Sequence, residues 1–569
     1  MINDVEIGIA GAAGQGMQTI SFTLGKTFAR SGFYSYAYHD IMSRIRGGSN
    51  ISIVRIKNTA ISSISYHIDI LVALDRDSIL KNMKKLKEGG KIIYDGEKIK
   101  FDEVEPAFLS VPLERLALEA GKDKVTINSV ATGAVAALLN WEISGFCEVI
   151  KELFAKKSAE VIANNINAVK AGFDYVKANF SGALPFELNA PLSARKRLYM
   201  NGSEAIAIAA LASGVKFYAG YPMSPSTAIM EYIAEKANEY KVVYEQAEDE
   251  IAAINMIIGA SYGGVRAMTA TSGGGFALMT EGISLAGMTE TPIVVVITQR
   301  PGPATGFPTR TEQGDLKFAL YSGHGEFAKI ILAPRTASES FIIMSRAFNL
   351  AEKYQVPVIV LTDQCFNDSS YTFNPSDLEI EPVNRGQLHF EWKGEPYSYK
   401  RYSLDQNIIS PRLVPGCTGQ AVCEDSDEHT EEGHISENAE LRDLMVQKRL
   451  GKLSEIAGEI RQPKYIGNNA PSVLLIGWGS TYGAIKEALE YMNEKGVPTA
   501  MLHFSEIWPL PELKLPCDLA YVKQIVIVEG NATGQFGNLF SAHAGVRVHK
   551  RILRYDGRPI TADYIITKL

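Results

Sequence analysis

The chain has 569 residues, 46% of them hydrophobic and 21% charged, a composition typical of a globular protein of three or four domains. Its net charge of −7 gives no support to nucleic-acid binding, which needs a basic surface. No apolar run approaches the roughly 20 residues of a membrane span and the N-terminus lacks a secretory signal pattern, so we expect a cytoplasmic protein that binds neither membrane nor nucleic acid.

The five cysteines are dispersed, and none belongs to a Cys-x-x-Cys pair. An iron–sulfur cluster needs about four thiolates, so we predict reduced thiols and no metal site in this chain.

Residues 1–185 are predicted to form one α/β unit. A strand over 5–10 runs into a glycine turn with Gly14 and Gly16, and a helix follows over about 17–31. Glycines at this place allow a phosphate to approach the helix N-terminus, although a tight turn without ligand is the other interpretation. Arg46, beside two glycines, is either a second anion contact or part of a solvated loop.

Further strands are predicted over 51–56, 70–74, 91–94 and 124–127, and helices over 129–140 and 147–179. Strands that alternate with helices favour a parallel, doubly wound sheet. A linker is predicted over 186–194.

A second α/β unit is predicted over 195–374. Its strand at 215–219 leads into Gly220-Tyr-Pro-Met-Ser-Pro-Ser-Thr227, where two prolines stiffen a turn rich in hydroxyls. One of these hydroxyls is expected to cap the next helix. A carboxylate cluster from Glu245 to Glu250, a helix of small residues and the glycine-rich turn 271–275 follow. Together these segments are typical of a cofactor pocket.

Residues 375–465 are predicted to be a polar insertion that ends in a charged helix over 436–460. Its acidic run, 423–434, is either a metal site or a solvated loop that caps this helix, and we favour the loop. A last α/β unit is predicted over 466–569. Asn531 and Gln535 follow a strand in this unit, where open α/β sheets bind ligands, so they are candidate cofactor contacts; ordinary turn residues are the alternative.

The motifs of the second unit resemble those of a known protein family. The turn 221–227 resembles the Tyr-Pro-Ile-Thr-Pro-Ser-Ser/Thr motif in the α subunit of 2-oxoacid:ferredoxin oxidoreductases, with departures at Met223 and Ser224. Residues 250–264, 271–276 and 306–315 are also similar to this subunit.

The resemblance extends over nearly the whole chain. The N-terminal unit resembles the γ subunit, and the C-terminal unit is similar to the transketolase C-terminal-like domain. The implied fold is α/β in three units with mostly parallel, doubly wound sheets: a γ domain, a pyrimidine-binding domain for thiamine diphosphate and the C-terminal domain.

The resemblance implies that a buried glutamate hydrogen-bonds the aminopyrimidine ring of thiamine diphosphate. We assign this role to Glu250, with Glu248 in reserve; the alternative is an acidic first turn that complements a helix dipole. Gly274 is a further cofactor contact.

The implied substrate is a 2-oxoacid. Arg310 would pair with its carboxylate, with Arg300 as the alternative, and Ser224 would contact its carbonyl oxygen. The remaining candidate substrate contacts are Tyr221, Thr227 and Thr309. Gly14, Gly16 and Arg46 are the candidate contacts for coenzyme A.

A Gly-Asp-Gly motif with an Asn about 30 residues later, the signal for a metal-bound diphosphate, is missing from the sequence. The resemblance therefore implies a β subunit that carries the diphosphate site, Mg²⁺ and a [4Fe-4S] cluster, in an (αβ)₂ assembly. The implied reaction converts a 2-oxoacid, coenzyme A and two oxidised ferredoxins to acyl-CoA, CO₂ and two reduced ferredoxins, and 2-oxoglutarate or a broad range of 2-oxoacids is expected. The alternatives are a pyruvate- or indolepyruvate-type subunit and a nucleotide-binding scaffold without catalysis.

Overall fold

The structure is a computed structural model that describes residues 3–43, 47–101, 107–182, 184–185, 187–191, 197–395, 398–405, 407–417 and 419–569. It divides into two compact units. The first comprises Met1–Asn201 and Asp368–Asp377, and the second comprises Gly202–Asn367 and Leu378–Leu569.

The strands of the described residues are, in chain order, β1 (Asp4–Ala13), β2 (Tyr34–Asp40), β3 (Gly47–Lys57), β4 (Ile68–Ala73), β5 (Leu86–Tyr94), β6 (Phe108–Ser110), β7 (Leu198–Asn201), β8 (Phe217–Gly220), β9 (Val243–Gln246), β10 (Ala267–Thr271), β11 (Ile293–Gln299), β12 (Ile330–Leu332), β13 (Pro357–Asp363), β14 (Ser370–Phe373), β15 (Leu388–His389), β16 (Arg412–Leu413), β17 (Lys464–Gly467), β18 (Val473–Trp478), β19 (Thr499–Phe504), β20 (Glu506–Trp508), β21 (Gln524–Glu529) and β22 (Lys550–Leu553).

The α-helices are α1 (Met17–Arg30), α2 (Arg76–Asn82), α3 (Leu113–Ala120), α4 (Ile127–Leu138), α5 (Ser144–Leu153), α6 (Ala159–Asn179), α7 (Gly202–Ala212), α8 (Thr227–Tyr240), α9 (Glu250–Tyr262), α10 (Gly273–Met288), α11 (Leu316–Tyr321), α12 (Glu339–Tyr354), α13 (Gln364–Asp368), α14 (Ala439–Glu459), α15 (Tyr482–Glu494), α16 (Gln535–Ala544) and α17 (Ala562–Ile566). Short 3₁₀ turns lie at Met83–Lys85, Lys124–Thr126, Pro375–Asp377, Gly479–Thr481 and Leu519–Tyr521.

The first unit is built on a mixed sheet in the order β6-β5-β4-β1-β3-β2-β14-β7. The strands β6, β5, β4 and β1 are parallel, whereas β3 pairs antiparallel with both β1 and β2. The connection between β2 and β3 is too short for a helical crossover, so these two strands must run in opposite directions. Helices α1 and α4 pack apolar side chains onto the strands, and a core of residues such as Ile7, Leu24 and Val130 results.

The predicted strand over 124–127 is wrong. Lys124–Thr126 form a 3₁₀ turn that leads directly into α4, and the side chain of Asp123 accepts a hydrogen bond from the Val125 amide. Val125 is 76% exposed, so this β-branched residue has no sheet face to cover. The helical stretch predicted over 147–179 is two helices, α5 and α6.

The second unit contains a seven-stranded sheet in the order β20-β12-β13-β11-β10-β8-β9, parallel except for β20. A five-stranded sheet, β17-β19-β18-β21-β22, is parallel except for β17. Two short strands, β15 and β16, form a separate pair. One hydrophobic core includes Val295 of β11 and Ile476 of β18, which explains why the predicted units 195–374 and 466–569 lie in one compact unit.

The polar segment 375–465 is more buried than its composition indicates. Arg401 is fully buried, and its guanidinium donates to Glu424 over 3.0 Å. Glu428 accepts hydrogen bonds from Arg449 and Arg442. The acidic run predicted to be a solvated loop therefore uses two of its carboxylates in ion pairs with arginines.

Candidate active site

The turn between β8 and α8 carries the predicted substrate contacts Tyr221, Ser224 and Thr227. Tyr221 is 39% exposed, Ser224 is exposed, and Thr227 is the first residue of α8. Ser226 occupies the N-cap position, yet its hydroxyl donates to the carbonyl of Met223 over 2.7 Å and makes no capping bond. The expected side-chain cap from this turn is therefore wrong at the N-cap, because the hydroxyl closes the turn itself.

The carboxylates that precede α9 have different environments. Glu245 and Glu248 are exposed. Asp249 is the N-cap of α9, and its side chain accepts from the amide of Ala252 over 2.7 Å. Glu250, the first residue of the helix, is only 2% exposed. Glu250 is therefore buried, whereas Glu248, the alternative candidate for the same role, is exposed.

The buried carboxyl of Glu250 is incompletely hydrogen-bonded. Its Oε1 atom is buried without a hydrogen-bond partner among the described residues. Burial raises the pKa of Glu250, and the neighbouring charge of Asp249 raises it further. Removal from water destabilises the charged form, so this carboxyl holds its proton to a higher pH than an exposed glutamate does.

The glycine-rich turn lies next to Glu250. It opens α10 at Gly273, and a methyl group built on Gly275 would lie 2.4 Å from Glu250 Oε1. The hydroxyl of Ser272 donates to the sulfur of Met223 over 2.7 Å. The structure therefore brings the 221–227 turn, Glu250 and the start of α10 together. Gly274 is exposed at this helix start.

Arg300 contacts the same turn. Its Nη1 atom donates to the backbone carbonyl of Ser224 over 2.5 Å. Burial lowers the pKa of Arg300, and the charge of Asp315 opposes this effect. The guanidinium thus fixes the position of Ser224, the predicted carbonyl contact.

Arg310 and Thr309 lie further along the same loop. Arg310 is 8% exposed, and its amide donates to the carbonyl of Phe307 over 3.1 Å. A methyl group built on Gly557 would lie 3.0 Å from Arg310 Cβ. Thr309 is half-buried. The loop 555–558 therefore packs against the predicted carboxylate-binding residue.

Two carboxyls of this loop, Glu312 and Asp315, are not among the residues predicted from the sequence. Both oxygens of Asp315 would lie within 2.6 Å of a methyl group built on Gly273, and its Oδ2 is buried without a hydrogen-bond partner among the described residues. Burial raises the pKa of Asp315 to about 6 and that of Glu312, with a contribution from Asp315, to about 7. Both residues belong to the motif 306–315, but a sequence motif does not reveal burial.

The amides of Asn531 and Gln535 connect two loops. Asn531 donates to the carbonyl of Gln313 over 3.2 Å and to Glu529 over 2.7 Å. Gln535 donates to the carbonyl of Gly314 over 2.6 Å. Their contact with a cofactor stays a prediction, and the structure gives them a role in positioning the loop that carries Arg310.

The glycine turn of the first unit borders a separate cavity of about 490 Å³. Gly14 and Gly16 both have left-handed backbone, with φ of 90° and 76°. A side chain at Gly16 would collide with Asn128, whose Nδ2 would lie 1.9 Å from the added carbon. Ala13 pairs with Gly47, so the two predicted coenzyme A segments meet at the end of β1. Arg46 lies outside the described residues.

The cavity beside Gly14 is lined by the first residues of α3 and α4 and by two lysines. Lys98 and Lys124 both form ion pairs with Glu114, over 3.1 and 2.9 Å. One carboxylate shared by two ammonium groups leaves a net positive charge there, which, together with the glycine turn and the helix starts, is suited to an anion.

Within the described ranges, no group of three His, Cys, Asp or Glu side chains is placed to hold a metal ion. None of the described helices is both long and apolar enough to cross a membrane.

Comparison with protein families gives two matches. Residues 208–448 match the thiamine-diphosphate-binding domain of pyruvate flavodoxin/ferredoxin oxidoreductases, and residues 6–175 match the pyruvate ferredoxin/flavodoxin oxidoreductase domain. The first match contains the 221–227 turn, Glu250 and the loop with Arg310.

Individual proteins are similar over 58% to 100% of the chain. The α subunit of a 2-oxoacid:ferredoxin oxidoreductase from a Sulfolobus species is 33% identical over 98% of this chain and 95% of its own length. A 2-oxoglutarate synthase subunit KorA from Methanocaldococcus jannaschii is 35% identical over 58% of this chain and 88% of its own length. The structure of 2-oxoglutarate:ferredoxin oxidoreductase from Magnetococcus marinus, with 2-oxoglutarate, coenzyme A and succinyl-CoA bound, is 31% identical. It superposes with a TM-score of 0.89 over 100% of this chain and 99% of that chain.

The predicted family, the α/β fold of mostly parallel sheets and the oxidoreductase class are confirmed by these similarities. The chain belongs to the α subunits of the 2-oxoacid:ferredoxin oxidoreductases.

Proposed function

We propose that this chain, with its N-terminal γ-type domain, is the α subunit of an enzyme that acts on 2-oxoglutarate or a broad range of 2-oxoacids. The enzyme transfers the acyl group to coenzyme A, releases CO₂ and passes two electrons to two ferredoxins. The buried carboxyl of Glu250 carries the proposal, because an acid that is only 2% exposed and lies beside a glycine-rich turn is suited to a hydrogen bond with a polar group of a ligand.

The relatives favour this function over both alternatives, which are a pyruvate- or indolepyruvate-type subunit and a nucleotide-binding scaffold without catalysis. One relative is named as a 2-oxoglutarate synthase subunit, and the Magnetococcus enzyme has 2-oxoglutarate bound, which favours this acid over pyruvate or indolepyruvate. Full-length similarity to catalytic α subunits favours catalysis over a scaffold role.

Thiamine diphosphate fits the residues around Glu250. When bound, it supplies a nucleophilic carbon and an electron sink for decarboxylation. Glu250 would hold the aminopyrimidine ring by a hydrogen bond and keep or return the proton at its carboxyl. Gly274 supports this placement, since a side-chain carbon there would have nothing nearer than the Ala304 carbonyl at 4.0 Å, which leaves its backbone open to a ligand.

The substrate would lie between the 221–227 turn and the loop 300–315. Ser224, fixed by Arg300, would donate to the 2-oxo group, and Arg310 would pair with the carboxylate in a planar, two-point contact. Tyr221, Thr227 and Thr309 would complete the pocket wall.

Coenzyme A would use the cavity beside Gly14 and Gly16. The amides at the start of α1 have no acidic residue in the first turn to compete for them, which supports a phosphate contact there. Arg46 would add a charge-assisted contact.

A β subunit would cover the surface around Glu250. Ile251 and Leu278 are each 49% exposed, and both line a cavity of about 920 Å³ between α9, α10 and α14. Phe318 and Tyr321 add exposed aromatic rings on α11. The partner would bring the diphosphate site, Mg²⁺ and a [4Fe-4S] cluster that delivers electrons to ferredoxin, in an (αβ)₂ assembly.

The proposal is tested on the complex co-expressed with its β subunit, assayed with a panel of 2-oxoacids and a viologen dye as electron acceptor. We expect the highest kcat/KM with 2-oxoglutarate or comparable values with several 2-oxoacids. Strict preference for pyruvate or indolepyruvate would contradict the proposed substrate, and failure of the complex to bind thiamine diphosphate would contradict the proposed chemistry.

Glu250→Gln should lower kcat by about 10²–10⁴-fold, the range for loss of a general acid–base group. Gln preserves the size of the side chain and removes its proton affinity. Glu248→Gln is the matched control on the exposed side of the same segment and should leave kcat within about twofold. Near-normal turnover of Glu250→Gln would refute the assignment.

A further inference from the structure

Two unpaired oxygen atoms face the same glycine beside the candidate site. Thr271, the last residue of β10, and Glu250, the first residue of α9, are 0% and 2% exposed. Among the described residues, neither Thr271 Oγ1 nor Glu250 Oε1 has a hydrogen-bond partner.

These two oxygens both lie close to the position that a side chain of residue 275 would occupy. A methyl group built on this glycine would lie 2.1 Å from Thr271 Oγ1 and 2.4 Å from Glu250 Oε1. Both distances are far below van der Waals contact, so any larger residue at position 275 would displace the hydroxyl, the carboxyl or both. The two oxygens therefore share one small space that exists because residue 275 lacks a side chain.

A threonine hydroxyl donates one hydrogen bond, and an ionised carboxylate only accepts. A small rotation of either side chain would pair the two atoms and satisfy both, which is the usual state of buried polar groups. Besides the backbone amide of Glu250 itself, the Thr271 hydroxyl is a donor that the fold places beside this carboxyl.

We propose that Thr271 and Gly275 are positioning residues for Glu250: the threonine hydroxyl donates to Oε1, and the glycine leaves room for the carboxyl. The other carboxyl oxygen is thereby directed towards the bound aminopyrimidine ring. This inference rests on the proposed function of Glu250.

Thr271→Val keeps the shape of the side chain and removes the donor. Loss of a hydrogen bond to the charged form raises the pKa of a carboxyl. The acidic limb of the kcat/KM profile should therefore move to higher pH by about one unit, equivalent to a tenfold change in the protonation equilibrium. Thr271→Ser, which restores the hydroxyl, should return the limb to its original position.

Thr269→Val is the matched control. Thr269 lies two residues earlier on the same strand, is also fully buried, and its hydroxyl also has no partner among the described residues. We expect the pH profile of this variant to equal that of the unsubstituted complex, because Thr269 is not among the atoms closest to Gly275.

Gly275→Ala gives a second, independent test by calorimetry of thiamine diphosphate binding to the complex. Displacement of the carboxyl should weaken the cofactor at least tenfold and reduce the near-ultraviolet circular dichroism of the bound cofactor. Thermal unfolding of the apo complex shows whether each variant is folded, and if Thr271→Val is not folded, Thr271→Ala takes its place.

An unchanged acidic limb in Thr271→Val, failure of Thr271→Ser to restore it, or an equal shift in Thr269→Val would overturn the inference. Unchanged cofactor affinity in Gly275→Ala would do the same. These results are distinct from failure of the proposed function, which would show as near-normal turnover of Glu250→Gln.

Discussion

Asp315 is half-buried and places a carboxyl with one buried oxygen between Arg300 and the start of α10. Burial raises its pKa from the ordinary 3.8 to about 6. Between these values the folded protein binds a proton that the unfolded chain has released, so folding stability falls as pH rises from about 4 to about 6. Above about pH 6 the carboxyl is charged in both the folded and the unfolded state, and the loss of folding stability stays constant.

Asp315→Asn should therefore raise the midpoint of thermal unfolding at about pH 8, where the wild-type carboxyl is charged, and change it much less at about pH 4. Asp427→Asn, at an exposed position, is the control and should have little effect at either pH. Equal gains from Asp315→Asn at both pH values would show that the buried charge is not the cause.

The same residues show which parts of the site a sequence can predict. Three carboxylates precede α9 and a fourth, Glu250, is its first residue; their positions at the helix start cannot rank them, because an N-terminal acid is favourable on any helix. Glu250 was selected by its resemblance to a motif, and its burial became visible only in the fold. Asp315 and Glu312 lie within a recognised motif, but the burial that raises their pKa values depends on tertiary packing, such as that of Asp315 near Gly273.

At the scale of elements, local patterns predict α1 and the strand that leads into the 221–227 turn, which the structure has as β8. They failed for Lys124–Thr126, where β-branched residues suggested a strand and the Asp123 cap produces a turn. They also failed for the segment 375–465. Its charges look solvated in the sequence, but tertiary contacts with arginines and lysines bury several of them.

The attachment of α14 depends on one of these buried charges. Glu290 is 1% exposed and accepts hydrogen bonds from Lys448 at 2.5 Å and Lys452 at 2.6 Å, both on α14. Burial lowers the pKa of Lys452 to about 7 despite the attraction of Glu290. The carboxylate of Glu290 therefore connects α14 to the rest of the unit, and it favours the charged form of both lysines.

Glu290→Gln should destabilise the second unit by about 3–5 kcal/mol, because it removes the carboxylate that favours the charged form of two buried lysine amines. The shift is measured as the urea midpoint of the purified complex, and limited proteolysis should show earlier cleavage near α14. Glu490→Gln breaks the exposed pair with Lys486 and is the control, expected to change stability by less than about 1 kcal/mol. A comparable effect of both substitutions would contradict this account.

At the scale of the molecule, the described residues of this chain do not fully enclose the candidate site. Glu250 is buried, yet its neighbour Ile251 and the side chain of Leu278 on α10 are each half-exposed. Exclusion of water strengthens every charge interaction in an active site, so the proposed chemistry requires a partner that covers this surface. We therefore propose that the apolar surface and the Glu250 carboxyl are parts of one arrangement, in which association with the proposed β subunit also closes the site.

Ile251→Glu combined with Leu278→Glu should abolish association with the β subunit. Burial of one large apolar side chain contributes about 1.5–3 kcal/mol, so loss of two such contacts with added charge should weaken the complex by at least about 100-fold. Co-purification and analytical ultracentrifugation measure this change, and thermal unfolding verifies that the variant chain is folded. Tyr521→Glu, at an 84% exposed position of the second unit, is the matched control and should co-purify normally. If the double variant retains its partner with unchanged affinity, the β subunit closes the site from another surface, and the exposed side of α9 and α10 has a different role.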